Sequence, residues 1–257
     1  LSDRIRVLLT NDDGVDAPGL RALEQALAAR GGVEVWTVAP AVEMSTCSHS
    51  MTINRPLFAR ERGERRIAVE GTTADCVYFG LFGCLPERPH VVVSGVNAGP
   101  NLGDDVIYSG TVAGAREAFN RGVSGVAVSL VEGDRFGAAA QSAAGIAIEV
   151  AGLDGADPLL LNLNYPGGEF SGPRLAPLGS RNYPEAVVSR EIPGRGGRYY
   201  WLGGPLVSDH QVPGSDGWLI ARGVASATLL TTDQTDHAAT RDAAARFAFL
   251  EPAEEAR

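Results

Sequence analysis

The sequence predicts an α/β protein built on a doubly wound, mostly parallel, Rossmann-like sheet, with a C-terminal extension of β-hairpins and a final helix. Three observations carry that expectation. Short apolar runs alternate with helix-periodic segments along the first two thirds of the chain, the pattern that right-handed βαβ crossovers produce. Polar loops follow several of those runs, where open α/β sheets bind ligands. Beyond Tyr165 the alternation gives way to a stretch rich in Gly, Pro and Arg.

The elements follow in order. Arg4 to Thr10 reads as a buried strand, and after the NDDGVDAPG loop Leu20, Ala22, Leu23, Ala26 and Leu27 recur at helical spacing. Gly31-Gly32 ends that helix, and Val33 to Ala39 supplies a second strand that stops at Pro40. Met51 to Val69 alternates loosely around RERGERR, a mixed-sign run that reads as a solvated hairpin or meander. Ala74 to Leu85 reads as helix and His90 to Ser94 as a third strand. Ser109 to Phe119 is the next helix, Gly125 to Leu130 a strand, Phe136 to Val150 a helix and Pro158 to Asn164 a strand. A boundary near Tyr165 divides a core, residues 1–165, from an extension, residues 166–257, that is not an independent domain. The extension has β-like segments at Arg198 to Leu202 and Ala225 to Leu230, and a helix near Ala238 to Leu250.

Composition narrows the partners. The chain has 257 residues, 44% hydrophobic and 21% charged, as a soluble globular protein does. A formal net charge of -9 argues against nucleic-acid polymers and membrane surfaces, both polyanions that attract a basic face. Every basic residue is arginine, scattered along the chain. Cys47, Cys76 and Cys84 are odd in number and lack zinc-ligand spacing, which suits reduced thiols in a cytoplasmic protein. LSDRIRVLL does not read as a signal peptide, and no apolar run is long enough to span a bilayer.

The chemistry gathers in two stretches. Asp12 and Asp13 stand side by side directly after the first strand, and adjacent like charges repel unless something positive is expected. Carboxylates with neutral oxygen donors are the ligand set of a hard divalent cation; the alternative is a solvated Asx turn with Gly14 at positive φ. The second stretch is YSGTV, Tyr108 to Val112, at the mouth of a helix. Backbone N–H groups, the positive end of the helix and the Ser109 and Thr111 hydroxyls can receive phosphate oxygens there, or the hydroxyls simply cap the helix. His49 in the loop after the second strand can act on a leaving group or be structural. Tyr199, Tyr200 and Trp201 can stack on a base or pack in an oligomer interface. No G-x-G-x-x-G follows the first strand, which disfavours a dinucleotide enzyme. Asn11 replaces the nucleophile of a D-x-D phosphatase and cannot form an aspartyl-phosphate.

The segments TNDDGVDAPGL, GTTADCV, VVVSGVNAGPNLGDDVIYSGTVAGAREA and LLLNLNYP together resemble the SurE family of nucleotidases. The likeness is strong from Arg4 to about Asn164 and weaker beyond. It implies a metal-dependent 5′/3′-nucleotidase that releases phosphate from nucleoside monophosphates. It also implies one divalent ion per subunit, Mg²⁺ or Mn²⁺, on Asp12, Asp13, Ser45 and Asn97. Asp12 and Asp13 would serve the chemistry, and Asn101, Ser109, Gly110 and Thr111 the phosphate. The family assembles as dimers and tetramers with an exchanged C-terminal segment and a protruding hairpin, so the extension is expected to serve oligomerisation. The departure is STCSHS, Ser45 to Ser50: many members carry SGxGHS, so Thr46 and Ser48 stand where glycine is usual. A non-catalytic nucleotide- or metal-binding module, or a phosphatase of non-nucleotide or short polyphosphate substrates, is the alternative.

Overall fold

The computed structural model describes residues 4–153, 157–183, 187–194, 196–203, 208–210 and 212–246. The chain runs β1 (Ile5–Thr10), α1 (Pro18–Ala28), β2 (Val33–Pro40), β3 (Ala59–Gly63), β4 (Arg66–Val69), α2 (Thr73–Phe79), β5 (Val91–Ala98), α3 (Gly110–Asn120), β6 (Ser124–Leu130), α4 (Phe136–Ala151) and β7 (Leu160–Tyr165). It continues with β8 (Ser171–Leu175), β9 (Ser180–Asn182), β10 (Val187–Glu191), β11 (Arg198–Leu202), β12 (Ser208–His210), α5 (Asp216–Ile220), β13 (Val224–Leu229) and α6 (His237–Arg246).

Among the described residues the main sheet has the order β3-β4-β2-β1-β5-β6-β7-β13-β8. The six strands from β4 to β7 in that order are mutually parallel, and β13 returns antiparallel to β7. The expected doubly wound α/β sheet is therefore present. Its central strands β5, β6 and β7 bury both faces, which is why they read as largely apolar runs, whereas the edge strands β3 and β8 are exposed. Val7 and Leu9 point into the cluster shared with α1 and α4, whereas Leu8 points into the one shared with α2. Small residues Ala139, Ala140, Ala143, Ala144 and Ala147 give α4 its buried face.

RERGERR is the edge hairpin β3–β4, in register Ala59↔Val69. Two expectations change. The helix expected through Leu85 is α-helical only to Phe79 and continues as a π-helical turn, Gly80–Cys84. The third strand runs on to Ala98 past Gly95, where φ is +140° and the pairing with β6 slips between Ser94 and Asn97. A Cβ at Gly95 would lie 2.3 Å from the Val128 carbonyl oxygen, so only glycine fits the bend. The final helix is described to Arg246; residues 247–250 of the expected helix lie outside the described residues.

Beyond Tyr165, β13 and β8 extend the main sheet, while β10–β11 form a separate hairpin with Val188 opposite Trp201. Trp201 is 66% and Leu202 83% exposed. No helix among the described residues is long and apolar enough to cross a membrane.

Candidate active site

Strand order reverses between β1 and β5, because β1 leads to β2 on one side and pairs with β5 on the other. Loops leaving the carboxyl ends of neighbouring parallel strands at such a switch point enclose a crevice. Three of them carry the expected residues.

Asn11 shapes the first loop: its Nδ2 donates to the Gly14 carbonyl at 2.9 Å, and Gly14 takes a φ of +103°. The local turn is thus closed by Asn11, while both aspartates reach other segments. Asp12 Oδ1 accepts from the Thr111 hydroxyl on α3. Asp13 Oδ2 accepts from the Ala98 N–H at the end of β5, at 3.2 Å. Asp12 is 4% exposed. Burial pushes its carboxyl up to about 6 against the opposing hydrogen bond from Thr111, and the neighbouring Asp13 charge adds to the rise. Burial likewise raises Asp13, partly offset by the Ala98 N–H and reinforced by Glu43. Among the described residues no arginine pairs with either carboxylate. A buried carboxylate, Asp12, beside a half-buried one, Asp13, with no cationic side chain paired to either among the described residues, forms an environment that a bound cation would relieve.

The neutral donors suit the same reading. Asn97 gives its amide hydrogen to the Gly99 carbonyl at 2.9 Å, which leaves Oδ1 as the side-chain atom able to ligate a cation. Ser45 sits on the loop after β2, its hydroxyl donating to Glu43 at 2.9 Å, and the preceding Met44 N–H bonds the Asp12 carbonyl at 2.7 Å. Among the described residues no three His, Cys, Asp or Glu side chains are grouped to hold a metal. A cation here would draw on the two carboxylates and neutral oxygens, a set that suits hard ions.

The N-terminus of α3 closes the crevice. Ser109 caps the helix, accepting from the Val112 N–H at 3.0 Å, and its own hydroxyl hydrogen stays available. The first-turn N–H groups of a helix have no intrahelical partner, and those of Gly110 and Thr111 belong to this set. Gly110 abuts Asp12: a Cβ there would lie 2.8 Å from Oδ2. Hydrogen bonds thus tie the Asp12–Asp13 loop to the SGT turn through Thr111, to the end of β5 beside Asn97 through Ala98, and to the loop bearing Ser45 through Met44. Asn101 is committed elsewhere: its Nδ2 donates to Ser129 at 2.7 Å, its N–H to Asn164 Oδ1 at 2.9 Å, and its carbonyl accepts from Asn162 and Asn164. It pins the loop after β5 to β6 and β7.

The family model described as "Survival protein SurE" matches residues 7–185. The chain belongs to the SurE family. It is 48% identical to a protein of Anaeromyxobacter dehalogenans named "5'-nucleotidase SurE", over 90% of this chain and 91% of the relative. A Geotalea daltonii protein of the same name is 41% identical over 91% of this chain and 95% of its own. The crystal structure of the SurE protein from Aquifex aeolicus superposes with a TM-score of 0.81 at 34% identity, covering 94% of this chain and 99% of that one.

Against the SurE pattern, the unusual loop acquires a physical reading. Thr46 and Ser48 have φ of 60° and 51°, a left-handed conformation that glycine takes freely and other residues rarely adopt. Sequence reasoning missed what surrounds the site. Buried Asn162 and Asn164 alternate along β7, and that two-residue spacing in LLLNLNYP was the available signal. Asp216 accepts from the Gly103 N–H at 2.9 Å and the Gly179 N–H at 2.7 Å, and nothing local marked it.

Proposed function

We propose that this chain is a metal-dependent phosphomonoesterase that hydrolyses nucleoside 5′-monophosphates, and also 3′-monophosphates, to nucleoside and phosphate. The observation that carries this reading is the join between Asp12 and the SGT turn through Thr111 and Gly110. It sets a cation-seeking carboxylate pair against a phosphate-accepting helix N-terminus. The names of the similar proteins, 5′-nucleotidases, support the substrate class.

Asp12, Asp13, Ser45 and Asn97 would hold one divalent ion per subunit, Mg²⁺ or Mn²⁺. When bound, that ion supplies Lewis-acid charge neutralisation and favours ionisation of the attacking water. The Ser109 hydroxyl and the Gly110 and Thr111 N–H groups receive the phosphoryl oxygens with donors already in place. The Thr111 hydroxyl orients Asp12, and Asn101 holds the loop that presents Asn97. Phosphoryl transfer asks mainly for positioning and charge stabilisation, which this set provides. Residues 1–165 carry the chemistry. Within residues 166–257, β8 and β13 complete the main sheet, and the rest serves assembly as a homodimer or homotetramer with C-terminal exchange, to which the exposed β10–β11 hairpin is suited. A cytoplasmic setting suits the free thiols of Cys47, Cys76 and Cys84.

The test is phosphate release from the common nucleoside monophosphates, p-nitrophenyl phosphate and tripolyphosphate, with chelator or added Mn²⁺, using wild type and Asp13→Ala. Metal-restored release from the nucleotides that is lost in the variant is the expected result. Wild-type activity in the variant, or nucleotide binding without turnover, overturns the reading.

A further inference from the structure

Glu117 is 1% exposed in the middle of α3, an unusual place for a carboxylate, since buried charges persist only when paired. Its partners come from two directions. Arg121 Nε, one turn on, donates to Oε1 at 2.7 Å, and His49 Nε2, on the loop after β2, lies 2.8 Å from Oε2. Burial alone would raise the Glu117 carboxyl, but the hydrogen bonds from His49 and Arg121 hold it below the usual range. It is therefore an ionised acceptor, and His49 meets it with an Nε2–H.

The loop that His49 anchors is the one that bears Ser45, and its backbone is not relaxed. Thr46 and Ser48 both sit at positive φ, a conformation that persists only where the surroundings impose it. Three tethers do so: the Met44 N–H on the Asp12 carbonyl at 2.7 Å, Ser48 on the Tyr108 and Ile107 carbonyls at 3.1 and 2.7 Å, and His49 on Glu117. The last is a side-chain pair to the helix whose first turn carries the SGT donors. Gly110 and Glu117 are seven residues apart, two turns along one helix face, so the face that abuts Asp12 at its start grips His49 further on.

We infer that His49 is a positioning residue: its bond to Glu117 holds the strained Ser45–Ser50 loop so that Ser45 faces Asp12 and Asp13, and thereby sets the affinity of the site for its divalent ion. The inference rests on the metal-dependent reading above. It treats His49 as an anchor set back from the reacting phosphate, with no proton transfer assigned to it.

The experiment is calorimetric titration of the full chain with Mn²⁺ alone, using wild type, His49→Ala and His49→Gln, with hydrogen exchange of the Ser45–Ser50 amides followed in parallel. His49→Gln keeps an N–H donor toward Glu117 without an imidazole. The expected result is Mn²⁺ binding weakened at least fivefold in His49→Ala and restored to within twofold in His49→Gln. Exchange of the loop amides should accelerate in the alanine variant only, and kcat at saturating Mn²⁺ should stay within threefold of wild type. Wild-type Mn²⁺ affinity in a folded His49→Ala protein overturns this inference and leaves the metal reading standing. Failure of His49→Gln to restore binding overturns it too, because imidazole chemistry would then be required. A wild type that turns over nucleotides yet binds no Mn²⁺ overturns both.

Discussion

Gly110→Ala probes the join between the acidic pair and the phosphate turn. The new methyl carbon would sit 2.8 Å from Asp12 Oδ2, 2.9 Å from its Cβ and 3.1 Å from its Cγ. Ordinary contact begins near 3.4 Å, so the carboxylate and the first turn of α3 must separate by about 0.6 Å. Asp12 cannot swing freely, because Thr111 holds its other oxygen and its surroundings are closed. Since a misplacement of about 1 Å in a catalytic constellation costs roughly 10²-fold, this shift should lower kcat/KM by about ten- to fiftyfold. That corresponds to roughly 1.4–2.3 kcal/mol of transition-state stabilisation. Overpacking costs stability as well, about 1–3 kcal/mol, so the variant should fold with a lowered Tm. The assay is steady-state phosphate release from AMP at saturating Mn²⁺, beside a thermal melt. Undiminished kcat/KM in a folded variant would refute the claim that the turn and the carboxylate act as one unit.

Three further outcomes are expected. Asp12→Asn removes a buried carboxylate whose charged form is disfavoured; without metal it should gain on the order of 2–3 kcal/mol, a Tm rise of roughly 4–10 °C by differential scanning fluorimetry, while losing both activity and the Tm increase that Mn²⁺ gives the wild type. Tyr165 is fully buried, its hydroxyl 3.1 Å from Ser142, and burial pushes its pKa from 10.0 up to about 12. The unfolded chain ionises first, so this contribution is intact below about pH 10 and is lost as pH rises through about 12, on the order of 2–3 kcal/mol. Urea titrations at pH 8 and pH 11.5 should show that drop in the wild type and a much smaller one in Tyr165→Phe. Replacing Trp201 and Leu202 together by serine should leave the monomer fold unchanged and reduce the assembled mass in sedimentation velocity; an unaltered sedimentation coefficient would remove the hairpin from the interface.

What could be read from the sequence follows from where the information is local. β1 and β5 announced themselves because burial on both faces demands short apolar runs, Val7-Leu8-Leu9 and Val91-Val92-Val93, whereas β2, interrupted by Glu34 and Thr37, was legible from its β-branched residues and its stop at Pro40. The aspartate pair and the SGT turn were visible because each lies within one loop. The bend at Gly95 was not, since an unrestricted φ leaves no mark beyond the glycine itself. At Ser109 the capping reading is realised, its oxygen accepting from Val112 N–H at the start of α3, and capping leaves the hydroxyl hydrogen free for the proposed phosphate contact. The bond between His49 and Glu117 spans 68 positions, and Asp216 meets Gly103 across 113. Contacts of that range belong to topology, and no neighbouring residue encodes them.

The placement of β1 beside β5 also governs when the crevice comes into existence. Asp13 meets Ala98 and Asp12 meets Thr111 across 85 and 99 positions, so the proposed ligand set is assembled by pairings that form slowly, after long loops close. The aspartates alone, adjacent in the unfolded chain, offer a cation too few oxygens to act as a nucleus. A divalent ion should therefore leave the refolding rate of this protein nearly unchanged and retard its unfolding, the signature of an interaction absent from the transition state. Ion loading becomes a reporter of completed topology, and resistance to unfolding becomes a quantity that the surrounding ion concentration sets.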